Sequence, residues 1–301
     1  MISFEDRDGW IWIDGQFVEW RDARIHVLTH GLHYASAVFE GERAYHGKIF
    51  RSIDHSRRLI KSAEILDMKV PYSVEELERA KYDTLEKNNL TDAYVRPVAW
   101  RGGERMGISA QKGLTHVAIA CWEWPSYYPA EIRENGIRIK TSPWHRPAPD
   151  CAPTQSKAAG LYMICTLSKH WAEKQGCQDA LMLDYRGNVV EATSANFFMV
   201  KDGVLTTPPP DCFLNGLTRQ TIIQLAQEQN IPFEERFITP DELKDAQEFF
   251  LTGTAAEVTA VGQIDDMRFT VGPVTRRLRD LYEARVRSGE EFVPLAATSS
   301  S

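Results

Sequence analysis

Cysteine is scarce in this 301-residue sequence, and what there is forms no pattern. The five cysteines, Cys121, Cys151, Cys165, Cys177 and Cys212, are odd in number and include no Cys-x-x-Cys pair. That argues against a disulfide framework or a zinc site and predicts reduced thiols. A basic block is missing as well. The net charge is −7, which argues against nucleic acid as a partner. No apolar run approaches the ~20 residues a membrane helix needs, so no membrane association is expected. The opening MISFEDRDGW is acidic and lacks the apolar core of a secretory signal, so a cytoplasmic location is expected. Gly-x-Ser-x-Gly, phosphate-loop and dinucleotide fingerprints are absent. His30 and His33 are spaced three apart, but no carboxylate or cysteine completes a ligand set at diagnostic spacing, so no metal is expected. There is no internal repeat.

What is present is enough apolar material for substantial cores, 43% of residues, in a chain longer than one typical domain. Two domains sharing a cleft are the natural reading. Asp14-Gly15 between Trp10–Ile13 and Phe17-Val18 predicts a hairpin. Ile49-Phe50-Arg51 reads as a strand, and Asp54 as the cap of a helix with Leu59, Ala63 and Leu66 on its stripe. Ser73 with Glu76 predicts a capping box ahead of a helix bearing Val74, Leu77 and Leu85. Residues 93–101 and 115–122 read as buried strands. Prolines crowd 125–153, which puts a linker at 126–135 between an N-terminal α/β domain (1–125) and a C-terminal domain (136–290). A strand at 137–141 opens the second half, and a helix after Thr154 ends at Gly176. Two hairpins follow, turning at 186–188 and at Asp202-Gly203. Helices are predicted at 218–230, after Thr239-Pro240, and at 278–287, with a strand at 248–251. The tail 291–301 is small and polar, and disorder is expected there.

Several residues carry candidate chemistry. Lys157 sits among small neighbours in Thr154-Gln155-Ser156-Lys157-Ala158-Ala159-Gly160, which leaves room for a bulky group. A partly buried lysine has a depressed pKa and forms Schiff bases, although a lysine in such a setting is more often an ordinary surface residue. Glu191 ends an apolar strand ahead of Ala192-Thr193-Ser194-Ala195. It suits a pyridinium nitrogen that needs a carboxylate, and equally a turn acid. Asn215-Gly216-Leu217-Thr218 precedes an amphipathic helix, and Thr252-Gly253-Thr254-Ala255-Ala256 follows a strand. Both segments bare backbone N–H groups of the kind that bind phosphate. Arg96, inside the apolar run 93–100, needs either an ion pair or a ligand anion.

The order of these pieces is specific. His30-Gly-Leu-His-Tyr34 leads to Phe39-Glu40-Gly41-Glu42-Arg43, then Tyr94-Val-Arg96-Pro97. Lys157-Ala-Ala-Gly-Leu-Tyr162, Glu191-Ala-Thr-Ser-Ala-Asn196, Gly216-Leu-Thr218-Arg219 and Gly253-Thr-Ala-Ala-Glu257 follow. Across residues 9–287 this resembles the fold-type IV pyridoxal 5'-phosphate (PLP) enzymes, and within them the bacterial branched-chain aminotransferases. The resemblance implies an α/β, two-domain fold with a smaller N-terminal and a larger C-terminal domain around a cleft. It implies PLP as cofactor, with Lys157 bonded to it and moving the proton between substrate and cofactor. Glu191 would pair with the pyridinium nitrogen, and Tyr162 with the phenolic oxygen, supported by Asn196. Arg58, Leu217, Thr218, Gly253 and Thr254 would hold the phosphate. Tyr94 with Thr254 and Ala255 would receive the substrate α-carboxylate, and Arg96 with Tyr34 the distal carboxylate of glutamate. Phe39, Trp124, Tyr127 and Ala256 would form the apolar pocket. Tyr34 and the loop Met106-Gly107-Ile108 would come from a neighbouring subunit, which implies a homodimer at least, with a trimer of dimers as a larger assembly.

The implied reaction is ping-pong transamination of leucine, isoleucine and valine with 2-oxoglutarate. D-amino acid or (R)-amine transamination and aminodeoxychorismate lysis are alternatives on the same fold. A non-catalytic scaffold is a third reading, against which the lysine, the glutamate and both phosphate-binding segments argue. Ala192 stands where relatives usually carry glycine, and the loop Arg101-Gly-Gly-Glu104-Arg105 is strongly charged.

Overall fold

The computed structural model of the chain describes residues 3–124, 130–290 and 292. Tyr127, and all of the expected tail except residue 292, lie outside the described residues. The described residues fall into two compact units, one holding 3–124, 147–166 and 211–214, the other the remainder. The first unit therefore takes in the Lys157 segment as well as the N-terminal stretch.

The first unit is built on a seven-stranded sheet, ordered β2-β1-β7-β6-β4-β5 with β3 also paired to β6. Its strands are β1 (Trp10–Ile13), β2 (Gln16–Glu19), β3 (Ala37–Phe39), β4 (Glu42–Tyr45), β5 (Lys48–Ile49), β6 (Ala93–Arg101) and β7 (Thr115–Glu123). Asp14-Gly15 closes β1 onto β2. Three helices accompany the sheet: α1 (His30–Tyr34), α2 (Ser52–Ile65) and α3 (Val74–Lys87). The Ser73/Glu76 capping box opens α3. Asp54 is not the cap of α2. The helix begins two residues earlier, after Arg51 in the left-handed region (φ 54°), and Asp54 lies in its first turn, where it accepts from Arg51 Nε at 2.7 Å.

Period-two alternation divides the long strands between two faces. Ala93, Val95 and Ala99 of β6 and Val117, Ile119 and Cys121 of β7 enter a core with Leu59 and Ala63 of α2 and Leu77, Ala80 and Leu85 of α3. The alternate residues, Tyr94, Arg96 and Trp122, occupy the other face. Cys121 is buried, and burial pushes its thiol up to about 12, so it is an inert packing group.

The second unit contains α4 (Ala130–Asn135), β8 (Ile137–Arg146), most of α5 (Tyr162–Lys174), β9 (Asp179–Asp184), β10 (Val189–Ala192), β11 (Asn196–Lys201) and β12 (Val204–Thr207). It continues with α6 (Leu217–Glu228), β13 (Phe233–Glu235), β14 (Glu248–Gly253), β15 (Glu257–Ile264), β16 (Met267–Arg268) and α7 (Pro273–Arg287). Residues 130–135 of the expected linker thus form a short helix. The strand order β10-β9-β8-β15-β14-β11 returns to β10 through Glu191↔Asn196, so these strands close into a barrel. Ile139, Leu181, Val189, Phe197, Met199, Leu251 and Val261 belong to its core cluster. α7 starts at Pro273, five residues ahead of the sequence expectation, because proline at the first helical position fits a helix start.

Candidate active site

Lys157 lies in the first unit on a segment strapped at several points. Its backbone N–H donates to Ser62 Oγ (3.0 Å), and its carbonyl accepts from Phe39 N (3.2 Å). Ala158 forms a bridge with Val38, and Ser156 Oγ donates to Ser62 O (2.8 Å). The segment is thus pinned between β3 and α2, and α5 begins five residues on. The half-buried ammonium donates to Tyr162 Oη at 2.8 Å and lies 5.0 Å from the Phe39 ring centroid. The Phe39 and Tyr162 rings meet edge-on at 4.8 Å.

The free face of β6 and β7 supplies a second group. Tyr94 pairs across with Trp122 and packs between it and Trp124, with ring centroids at 5.0 and 5.1 Å. Arg96 Nη2 donates to Tyr94 Oη (3.0 Å), and its guanidinium stands 4.7 Å from the Phe39 ring. Arg96 Nε and Trp122 Nε1 are shielded donors without a partner among the described residues. An alanine Cβ at Gly41 would lie 2.0 Å from Tyr94 Oη, so glycine there makes room for the hydroxyl.

Arg58 of α2 forms a bidentate pair with Glu40, Nε to Oε1 and Nη2 to Oε2, each at 2.7 Å. His55 Nδ1 meets Glu40 Oε2, also at 2.7 Å. Burial alone would raise the Glu40 carboxyl, but Arg58 and then His55 hold it far below the usual carboxylate range. Burial pushes His55 down to about 4, only partly opposed by Glu40, so the ring is neutral at physiological pH. Two residues beyond Glu40, the buried Glu42 shares Lys81 with Glu78, at 2.9 and 2.7 Å. Burial pushes Glu42 up to about 7 against the pull of Lys81.

Tyr34 lies on α1, 43% exposed, with its ring 4.6 Å from His30. His30 Nε2 meets Gly107 O at 2.9 Å, and so ties Tyr34 to the Met106-Gly107-Ile108 loop. His33 Nε2 meets Val27 O at 2.9 Å, so both histidines bind backbone carbonyls. In the charged loop nearby, Arg101 reaches Ser36 Oγ (3.3 Å), and Glu104 meets His116 Nε2 (2.9 Å). Burial would lower His116, but Asp14 and Glu104 on its two nitrogens raise it.

In the second unit Glu191 sits at the seam that closes the barrel. Arg146 Nε stands 3.1 Å from its Oε1, and Asn196 Nδ2 donates to its Oε2 at 3.5 Å. A Cβ at Gly216, the N-cap of α6, would lie 2.1 Å from Asn196 Oδ1, so glycine lets the helix start close to this amide. Leu217 and Thr218 form the first turn of α6. The buried Arg219 braces the preceding loop through Asn215 Oδ1 (3.0 Å) and Pro208 O (3.0 Å), and pairs with Glu235. Thr254, Ala255 and Ala256 form the turn between β14 and β15, beside Thr252, whose buried hydroxyl has no partner among the described residues. Sequence reasoning overlooked His55, Ser62 and Arg146. Nothing near Arg146 marks it except the proline-rich surroundings.

The sequence profile of the family described as amino-transferase class IV matches residues 37–264, well over half of the chain. This chain is a class IV aminotransferase. The branched-chain-amino-acid aminotransferase of Pseudomonas aeruginosa is 43% identical over 93% of this chain and 94% of its own length. The crystal structure of the Escherichia coli branched-chain amino acid aminotransferase superposes with a TM-score of 0.91, at 39% identity, covering 95% of this chain and 97% of that one. That of the Thermobaculum terrenum branched-chain amino acid aminotransferase in its PLP form gives 0.84 at 30% identity, over 94% and 95% of the two chains. The mixed α/β fold is accordingly that of the fold-type IV enzymes, as the resemblance implied.

Class IV aminotransferases depend on PLP, and the residues of this one suit that group. Arg58 Nη1 is shielded from solvent and has no partner among the described residues, as a phosphate-binding donor requires. Lys157 keeps an amine beside a phenol, and Gly216 opens α6 without a side-chain cap, the kind of helix start that suits a phosphate.

Proposed function

We propose that this aminotransferase moves the amino group of leucine, isoleucine and valine to 2-oxoglutarate by a ping-pong reaction. The observation that carries the substrate reading is the Arg96–Tyr94 pair set against Phe39 and Trp124. An apolar, aromatic wall takes an alkyl side chain, and an arginine at its edge takes the distal carboxylate of glutamate. One pocket then serves both half-reactions.

PLP supplies an electron sink for the bond broken at the substrate Cα. In this reading Lys157 would hold it and move the proton at the substrate Cα, with its amine held by Tyr162. Glu191 meets the ring nitrogen, steadied by Arg146 and Asn196. Arg58, Leu217, Thr218, Gly253 and Thr254 hold the phosphate. Tyr94, Thr254 and Ala255 receive the α-carboxylate, and Ala256 completes the apolar side. The L-specificity rests on the likeness to the relatives above.

The working unit in this reading is a cytoplasmic homodimer. Val27, Leu28, Leu32, Tyr34, Met106 and Ile108 are all exposed apolar or aromatic side chains, and a partner subunit would cover them while taking Tyr34 and the 106–108 loop into its own site. Among the described residues no helix is long and apolar enough to cross a membrane.

A half-reaction screen tests the proposal. Leucine, isoleucine, valine, glutamate, D-alanine and an (R)-amine are each mixed with the PLP form, and loss of the yellow colour is followed. The four L-amino acids should bleach it. Bleaching by D-alanine or the amine alone would overturn the reading.

A further inference from the structure

Arg58 does not stand alone. Its guanidinium carries five N–H donors in one plane. Nε and Nη2 are committed to Glu40, while Nη1 has no partner among the described residues. Glu40 is itself fixed. It sits fully buried between β3 and β4, with its N–H donating to Pro97 O (2.8 Å) and Oε2 also taking His55 Nδ1. His55 and Arg58 lie one turn apart on α2, so both groups that bind Glu40 come from one rigid element. The charged groups acting on His55 are Glu40, Arg58 and Lys81.

We propose that Glu40 and His55 are positioning residues that lock the plane of Arg58 and aim its remaining donor edge at the cofactor phosphate. This rests on the reading that Arg58 binds that phosphate. The clamp matters most in the half of the ping-pong cycle when the cofactor carries the amino group. Lys157 then has no bond to it, and non-covalent contacts alone retain it.

Charge and geometry predict opposite signs here. Glu40 is an anion behind the arginine, so a purely electrostatic account has its neutralisation strengthen the hold on a phosphate. A positioning account has it weaken, because glutamine cannot accept both guanidinium bonds and the fork is freed to rotate. Hydrogen bonds to charged groups contribute ~1.5–3 kcal/mol, so a loss of about tenfold or more is expected.

The test compares binding of pyridoxamine 5'-phosphate and of pyridoxamine, which lacks the phosphate, to cofactor-stripped protein by fluorescence titration. Glu40→Gln should weaken the phosphorylated ligand about tenfold or more and leave pyridoxamine unchanged. His55→Ala should act in the same direction, and His55→Asn, which keeps a donor near the Nδ1 position, should recover part of the loss. Tighter or unchanged binding of the phosphorylated ligand to Glu40→Gln, or an equal loss for both ligands, overturns the proposal. Should Glu40→Gln fail to fold, the His55 pair decides: equal affinities in the two His55 variants overturn it. Arg58→Ala separates the layers. If it leaves the phosphorylated ligand unaffected, the phosphate reading of Arg58 is wrong; if it weakens binding and the Glu40 and His55 variants do not, only the clamp is wrong.

Discussion

Gly41→Ala is a sharp perturbation because it is purely steric. Gly41 does not lie in the left-handed region, so alanine is compatible with its backbone. The added Cβ would sit 2.0 Å from Tyr94 Oη, where about 3.4 Å is comfortable. Tyr94 cannot easily yield: it is 7% exposed and packed between Trp122 and Trp124. Overpacking of this kind costs about 1–3 kcal/mol. Displacing the hydroxyl also loosens its bond from Arg96 Nη2, which adds about 1 kcal/mol at a site that water partly reaches. Together these lower the melting temperature by roughly 4–16 °C, at about 2–4 °C per kcal/mol for chains of this order. Scanning calorimetry of the holoenzyme reads the change. Adding Tyr94→Phe removes the atom at 2.0 Å and leaves Cζ at 2.9 Å, a contact relieved by a small shift, so most of the loss should return. A Gly41→Ala protein that melts like the parent, or a loss that Tyr94→Phe does not restore, would refute the reasoning.

Two further outcomes are expected. Lys157→Ala should abolish turnover and the yellow absorbance near ~410 nm while leaving far-UV circular dichroism unchanged; turnover at the parental rate would remove Lys157 from the chemistry. Stability should also respond to pH in a compensated way. His55 is pushed below its ordinary 6.5 to about 4, so the unfolded chain binds the extra proton and stability falls as pH drops through that window. Glu42 is pushed from 4.5 up to about 7, so the folded chain binds the extra proton and stability rises as pH drops. The two cancel between about 4.5 and 6.5, and His55→Asn should unmask Glu42. Urea melts of that variant should show greater stability at pH 5 than at pH 7, by up to ~1.4 kcal/mol per pH unit, and a slope equal to the parent's would contradict the assignment.

Local rules made much of the fold legible. Asp14-Gly15, the Ser73/Glu76 box and the alternation along 93–101 each depend on neighbours close in sequence, and each element is present. The misses share a cause. Glu40 follows β3 and Glu42 opens β4, strands that charge made unreadable, since their carboxylates are buried only because Arg58, His55 and Lys81 arrive from distant helices. β15 was unread because its partners β8 and β14 are remote or follow a turn of small residues. Arg146 closes on Glu191 over the intervening strand β9, and no spacing rule links residues 45 positions apart. The Lys157 motif was readable by its order among other motifs, whereas its straps to Ser62 and Phe39 were not.

Those straps have a kinetic consequence. In the proposed reaction each turnover would release the Lys157 side chain from a covalent partner and later capture it again. With the backbone of residue 157 tied to β3 and α2, release frees only the four side-chain torsions. Side-chain rotamers interconvert in picoseconds to nanoseconds, whereas loop rearrangements run to microseconds. Recapture would therefore be a short torsional search from a fixed anchor, with no loop rearrangement to wait for.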